Sequence, residues 1–410
     1  MFFTAVFHSG KLSYFLYFCM PAKNLTGQEE MIIRSTYKAA GIVSSTVEAH
    51  FGLHINEARN AGETDLAPVP LACVVESVID AAFWASLRKE EGRSPRISLA
   101  WLPPHSAGYP LVFGSRLPLL PDVLTKLAPG VEPAGIHLGV WHDGDELYIW
   151  GTTRALPSYC FVLEIVEPGL LVVKHRRFHG YGKFVNVAIL KGDQVKVVDE
   201  QSGSMPDCPA LLTSLLGFTG NSNWNDSVNV LIQLATSMRA HNRGGTLLVV
   251  PNHSDQWRES IIHPIIYSVV PAFGGLTELM QKNETVQSQA PWLAALSRAI
   301  ESVAGLTAVD GATIINDKHE LLAFGAKIGR AEGSTPVEKV ILTEPILGGE
   351  ANVVHPNQNG GTRHLSAAQF VYDQRDSIAL VASQDGRFTI FGWSPCEGMV
   401  HAHRVDSLLL

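Results

Sequence analysis

A chain of 410 residues is too long for one ordinary hydrophobic core, so two domains are expected. An apolar content of 46% with 17% charged residues excludes a disordered or fibrous protein, and a net charge of −8 argues against a general nucleic-acid binder, which needs a basic excess. The five cysteines (Cys19, Cys73, Cys160, Cys208 and Cys396) contain no C-x-x-C pair. They supply neither zinc-site spacing nor a disulfide framework, and a reducing cytoplasmic setting is expected.

Residues 1–30 read as a poorly defined N-terminal extension. The stretch is apolar, but Lys11 interrupts it, and it lacks both the basic start and the cleavage site of a secretory signal. It is too short for a membrane span, and Met20 and Met31 are alternative starts. Residues 31–61 space their apolar side chains by three and four, which predicts an amphipathic helix. A second helix is predicted over 70–90, stopped by Gly92 and Pro95. From about 96 to 200 the texture changes to short β-branched and aromatic runs, among them "ISLAWL", "GIHLGVW", "ELYIWGT" and "YCFVLEIV". "HDGD" at 142–145 marks a hairpin between two of them. Residues 31–200 therefore read as a helical and mostly antiparallel sheet domain.

Residues 201–225 shift to Gly, Ser, Pro and Asn and read as a linker. Beyond it, residues 226–410 alternate helix and strand: "SVNVLIQLATSMRAH", "GGTLLVVPN", "APWLAALSRAIESVAGL", "GATIIN" paired with "ELLAFGAKI", "TRHLSAAQFVYD", and a closing hairpin of "SIALVAS" with "RFTIFG". That alternation predicts an α/β domain with a mixed sheet flanked by helices, α+β over the whole chain.

No G-x-x-x-x-G-K-[ST], G-x-S-x-G or H-E-x-x-H is present. Three other stretches could carry chemistry. In "AVDGATII", Asp310 sits at a strand entrance beside Gly311 and Ala312; it could hold Mg²⁺ or Mn²⁺, or it could simply make an Asp-Gly turn. In "GGTRH", Thr362 could cap the following helix while Arg363 grips a phosphate; the plainer reading is a cap and an exposed Arg. In "VASQDGRF", Ser383, Gln384 and Asp385 follow a buried strand and form a hairpin tip by default. The basic run "KHRRFHGYGK" (174–183) reads as a solvated hairpin loop. His401 and His403 alternate on one face of an expected edge strand, weak ground for a metal.

In order and spacing, "GGTLLVVP", "VDGATII…LLAFGAKI", "GTRHLSAA" and "DSIALVASQDGRFTI" resemble the diadenylate cyclase (DAC) domain over about residues 226–405. With its amino-terminal domain the chain looks similar to the DACNV variant, a probable sensor domain. The resemblance implies a nucleotide site. Asp310 would be the metal ligand and, if the protein is active, the catalytic residue. Gly311 and Ala312 would allow close approach of the nucleotide. Thr362, Arg363 and His364 would hold the phosphates, with Ser383 near them, and Asp385 would be a weaker metal ligand. Mg²⁺ or Mn²⁺ would accompany the nucleotide, ATP or a cyclic dinucleotide. A homodimer or higher oligomer is compatible with this, with neither nucleic acid nor membrane as partner.

Two departures from the family pattern bear on catalysis. Leu365 stands where a second Arg is expected, and Gln384 stands where the first carboxylate of an acidic pair is expected. Losing one charged contact at a transition state costs about 10²–10³ in rate, so chemistry suffers more than binding. The preferred reading is a nucleotide-binding sensor. An active diadenylate cyclase making cyclic di-AMP from two ATP comes second, and a structural protein that has lost ligand binding third.

Overall fold

The computed structural model describes residues 20–23, 29–32, 35–176, 184–204, 227–282 and 290–410. The chain divides into two compact units, Met1–Leu171 and Val172–Leu410. Most of the expected linker, and residues 177–183 of the basic run, lie outside the described residues, as does most of the N-terminal extension.

In the first unit, β1 (Met20–Lys23) and β2 (Glu29–Ile32) pair antiparallel. Helix α1 (Lys38–Asn60) follows, later than its apolar spacing suggests. Asp80 explains the delay: its Oδ1 accepts from Ser35 Oγ (2.9 Å), Thr36 N (2.9 Å) and Tyr37 N (2.7 Å), which keeps the chain extended up to the cap. Asp80 belongs to α2 (Ala72–Ser86), and α1 returns the service, since Glu48 Oε2 accepts from Ala72 N at 3.0 Å. Each helix thus supplies a carboxylate to the other's N-terminus, where it satisfies orphan N–H groups and opposes the helix dipole. Val43, Val47, Phe51 and Ile55 form the buried stripe of α1.

The sheet of this unit uses β3 (Ser98–Trp101), β4 (Leu111–Pro118), β5 (His137–Asp143), β6 (Glu146–Thr153) and β7 (Phe161–Glu167), in the order β7-β3-β5-β6-β4. Only the β3–β5 pair is parallel. The "HDGD" hairpin is present, with Asp143 opposite Glu146. Two elements are absent from the sequence reading. Strand β4 is exposed along most of its length, so it lacks apolar alternation. Helix α3 (Pro121–Val131) carries Pro121 in its first turn, where proline is tolerated, and Pro129 further along, which disguises it.

The second unit begins with β8 (Leu170–Arg176), β9 (Phe184–Lys191) and β10 (Gln194–Val197). There follow α4 (Ser227–Ala240), β11 (Gly245–Val250), β12 (Tyr267–Phe273), α5 (Gly275–Met280), α6 (Ala290–Leu306), β13 (Ala312–Asn316) and β14 (Leu321–Ala326). Then come β15 (Val340–Thr343), β16 (Asn352–Val354), α7 (Pro356–Asn359), α8 (Thr362–Asp373), β17 (Ile378–Ala382), β18 (Phe388–Ser394) and β19 (Met399–Arg404). A nine-stranded mixed sheet runs β12-β14-β13-β11-β17-β18-β19-β15-β16. The two parallel pairs are β11–β13 and β15–β19. All six residues of β11 are buried, as a central strand covered on both faces requires. Helix α8 lays Ala367, Ala368, Phe370 and Val371 on the sheet, against Leu248, Ala379, Val381 and Phe391.

Strand β19 is not the edge strand that the alternation of His401 and His403 suggests. The short strands β15 and β16 lie outside it, and both histidines are buried. His403 Nδ1 is 2.8 Å from Thr343 Oγ1, and burial lowers its pKa to about 4, so the ring is neutral. Cys73, Cys160 and Cys396 form no disulfide among the described residues. Among the described residues no helix is long and apolar enough to cross a membrane.

Candidate anion-binding site

The register of the nine-stranded sheet gathers the three candidate stretches at one end. Gly245, the first residue of β11, lies opposite Ala382, the last of β17, while Thr246 pairs with Ala312, the first of β13. Asp310–Gly311 and Ala382–Ser383 therefore flank the start of β11, and the N-terminus of α8 arrives beside them. Asp310, Gly361, Thr362, Arg363, His364, Ala382 and Ser383 line one pocket of about 370 Å³.

Gly311 has φ +114, and a Cβ there would stand 2.5 Å from Gly325 C and 2.8 Å from Ala326 O. Only glycine fits both the conformation and the space. Asp310 is thus set on a turn whose backbone is locked against β14, with its carboxylate exposed. Ala312 is fully buried in the sheet, pairing with Thr246 and Ala326, and it presents backbone rather than side chain to this end.

Thr362 does not cap α8. The cap is Gly361, and no side chain takes the capping hydrogen bond. Thr362 is the first helical residue, while Gly361 O accepts from His364 N (3.0 Å) and Leu365 N (3.3 Å). An uncapped helix N-terminus opening into a pocket offers N–H donors and about half a positive charge to an anion. Arg363 adds a guanidinium that makes no ion pair among the described residues. A neighbour absent from the sequence reading explains its placement. Gly244 has φ +71, and a Cβ there would come within 2.9 Å of Arg363 Nη1, so the glycine leaves room for the fork.

His364 is buried, with Nε2 3.3 Å from Thr389 Oγ1 and its ring edge-on to Phe391. Burial lowers its pKa to about 4. It enters the pocket as a neutral imidazole that fixes the first turn of α8, not as a second cation. Leu365, where a second Arg is expected, packs against the core of the sheet.

Ser383 N donates to Arg387 O at 2.8 Å, which closes the hairpin tip. Asp385 lies on that tip, outside the pocket lining. Its Oδ2 is 3.4 Å from Arg387 Nε, and its Oδ1 accepts from Arg387 N at 3.2 Å. A hydrogen bond from Ser383 and the bonds to Arg387 hold its pKa below the ordinary value, against the raising effect of burial, the largest single influence. Gln384 Nε2 donates to Arg243 O at 3.3 Å.

Lys327 is the second residue missed from sequence. Its ammonium is ion-paired with Asp310 Oδ2. The hydrogen bond from Lys327 is the largest cause holding the Asp310 pKa low, followed by its charge, with Arg363 contributing. The signal was available. Strands β13 and β14 are antiparallel neighbours with Ala312 opposite Ala326, so the residues just before one and just after the other must meet. Lys327 O also accepts from Ile262 N at 2.8 Å, which fixes the backbone behind it. This donor set does not fit a divalent metal. The lining holds one carboxylate, already paired with an ammonium, and Asp385 is engaged by Arg387.

The fold and this geometry define a two-unit α/β protein with a polar pocket, holding the N-terminus of α8 and the Arg363 guanidinium, at a sheet end of the second unit. Residues 64–154, from α2 through β6 of the first unit, match the family model of DACNV, a probable sensor domain. The match covers a minority of the chain and leaves out every pocket residue. Likeness to a sensor domain is therefore located in the first unit. No curated protein matches.

Proposed function

We propose that the second unit binds the phosphate of an adenine nucleotide or nucleotide second messenger, and that the chain is a nucleotide-responsive sensor. One observation carries the reading: three segments spread over residues 310–383 converge on a pocket at the uncapped N-terminus of α8, beside Arg363, which makes no ion pair among the described residues. Anion recognition asks for that combination of backbone donors, dipole and guanidinium. The motif order resembling diadenylate cyclase supports a nucleotide as the source of the phosphate, and the match to a probable sensor domain supports sensing as the purpose. Leu365 packed against the core and Gln384 bonded to a backbone carbonyl favour binding over turnover.

Isothermal titration with ATP and with cyclic di-AMP tests this. Binding below millimolar is expected, weakened about ten- to a hundredfold by Arg363→Ala. Absence of binding, or an Arg363→Ala variant that binds like the wild type, would sink the reading. Formation of cyclic di-AMP from ATP and Mn²⁺, abolished by Asp310→Asn, would replace the sensor with an enzyme.

A further inference from the structure

We infer that Lys327 is a built-in counter-cation, and that the pocket takes its phosphate ester without a divalent metal. The inference rests on the nucleotide-binding reading above and names the form in which the ligand is recognised.

A carboxylate in an anion pocket repels the ligand unless a cation stands between or beside them. Asp310 is the one carboxylate in the lining, and the cation against it is the ammonium of Lys327. The placement is enforced by the backbone. Gly311 locks the Asp310 turn on Gly325 and Ala326, and the next residue is Lys327, held by Ile262 N. Asp385 is held by Arg387, and it lies outside the lining, as Lys327 itself does, but without a bond to a lining residue's carboxylate. A hard divalent ion needs several oxygen ligands, and here the lining offers one carboxylate, whose Oδ2 already accepts from an ammonium.

Charge then limits the ligand. Asp310 and Lys327 cancel, leaving the Arg363 guanidinium and the helix terminus, the latter worth about half an elementary charge. That field suits a singly charged phosphodiester better than a metal-free triphosphate, whose several negative charges would be left partly unmatched.

The test has two arms. In the first, the full chain is titrated with cyclic di-AMP and with ATP, in EDTA and in Mn²⁺. Cyclic di-AMP should bind with the same affinity in both media, to within about threefold, and more tightly than ATP in EDTA. Lys327→Ala exposes the charge of Asp310. It should weaken binding about tenfold or more in EDTA and regain affinity in Mn²⁺, while Lys327→Ala combined with Asp310→Asn should bind without metal. A purely structural role for Lys327 would produce neither the rescue nor the double-variant recovery. Wild-type binding that requires Mn²⁺, or a Lys327→Ala variant that behaves like the wild type, overturns the inference while leaving nucleotide binding intact.

In the second arm, Mn²⁺ alone is titrated and followed by electron paramagnetic resonance. No site tighter than millimolar that is lost in Asp310→Asn is expected, and finding one overturns the inference. If neither nucleotide binds in any medium, the binding reading fails, and this arm still decides whether Lys327 or a metal neutralises Asp310.

Discussion

The two ends of strand β11 carry the two principal cavities of the second unit, and they differ in kind. The larger, about 500 Å³, lies past the C-terminal end of β11 and is lined by Pro251, His253, Ser254, Gln256, Trp257 and residues 373–377. Two of its polar side chains, Asp373 and Gln374, are already engaged. Asp373 accepts from Ala331 N (3.0 Å), Gln369 Nε2 (2.9 Å) and Ser334 Oγ, and Gln374 Nε2 donates to Ser260 Oγ at 2.9 Å. Arg375 lies over the Trp393 ring, 4.1 Å from its centroid. The smaller cavity has the opposite end of the same helix, uncapped, and a guanidinium without an ion-pair partner among the described residues. Both walls come from α8, so the dipole attracts anions at one end and repels them at the other.

The largest expected effect breaks the smaller cavity alone. Gly311→Val forces a side chain into the backbone of β14 at a positive φ. It should destabilise the second unit by about 3 kcal/mol in urea denaturation and abolish nucleotide binding. A variant with wild-type stability would show that the Asp310 turn is not locked as described.

Next in size is a pH effect centred on His364. Its pKa falls from 6.5 to about 4 on folding, through burial. The unfolded chain takes up the proton first as pH drops, so the contribution of the neutral ring is complete above about 6.5 and is lost on the way down to 4. A displacement of that size corresponds to on the order of 3 kcal/mol. His403 behaves alike, on β19, two strands away from β17. His364→Gln should therefore remove about half of the stability lost between pH 6.5 and 5, read by urea denaturation at each pH. An unchanged slope would mean that the ring is hydrated.

Much of this arrangement is legible in the sequence, for physical reasons that also explain the failures. Strands β11, β13 and β17 announce themselves because both faces are buried; the Asp-Gly and Ser-Gln-Asp-Gly stretches stand at the ends of β13 and β17, and Gly-Gly-Thr-Arg-His opens α8. The assignment of Thr362 as cap fails because a cap depends on one residue's backbone angles, and Gly361 takes that position. Lys327 and Gly244 are missed because their importance lies in register and close approach, neither of which has a local composition signal. The edge-strand reading of His401 and His403 fails because β15 and β16 are too short to show a period.

The two cavities are compared directly by a pair of arginine substitutions. Arg363→Ala should cost about ten- to a hundredfold in nucleotide affinity and leave stability unchanged, because the side chain makes no ion pair among the described residues. Arg375→Ala should leave affinity unchanged and cost about 1 kcal/mol of stability through the lost contact with Trp393. The reversed pattern would move the ligand to the larger cavity.

The smallest effect concerns Asp385, and it separates binding from catalysis most sharply. Its pair with Arg387 is about half exposed on both sides, a class of interaction worth less than about 1 kcal/mol. Asp385→Asn should accordingly change denaturation by a few tenths of a kcal/mol. If Asp385 held a metal at the phosphates, the same change would cost Mn²⁺-dependent nucleotide affinity far more than stability. The hairpin tip is closed by backbone bonds from Ser383 to Arg387 and from Gly386 to Ser383, and both survive the substitution. A loss of affinity with the tip intact would place Asp385 in the pocket's chemistry, and with it the acidic function that Gln384 does not supply. Unchanged affinity would leave Asp310, neutralised by Lys327, as the one carboxylate that a bound phosphate meets.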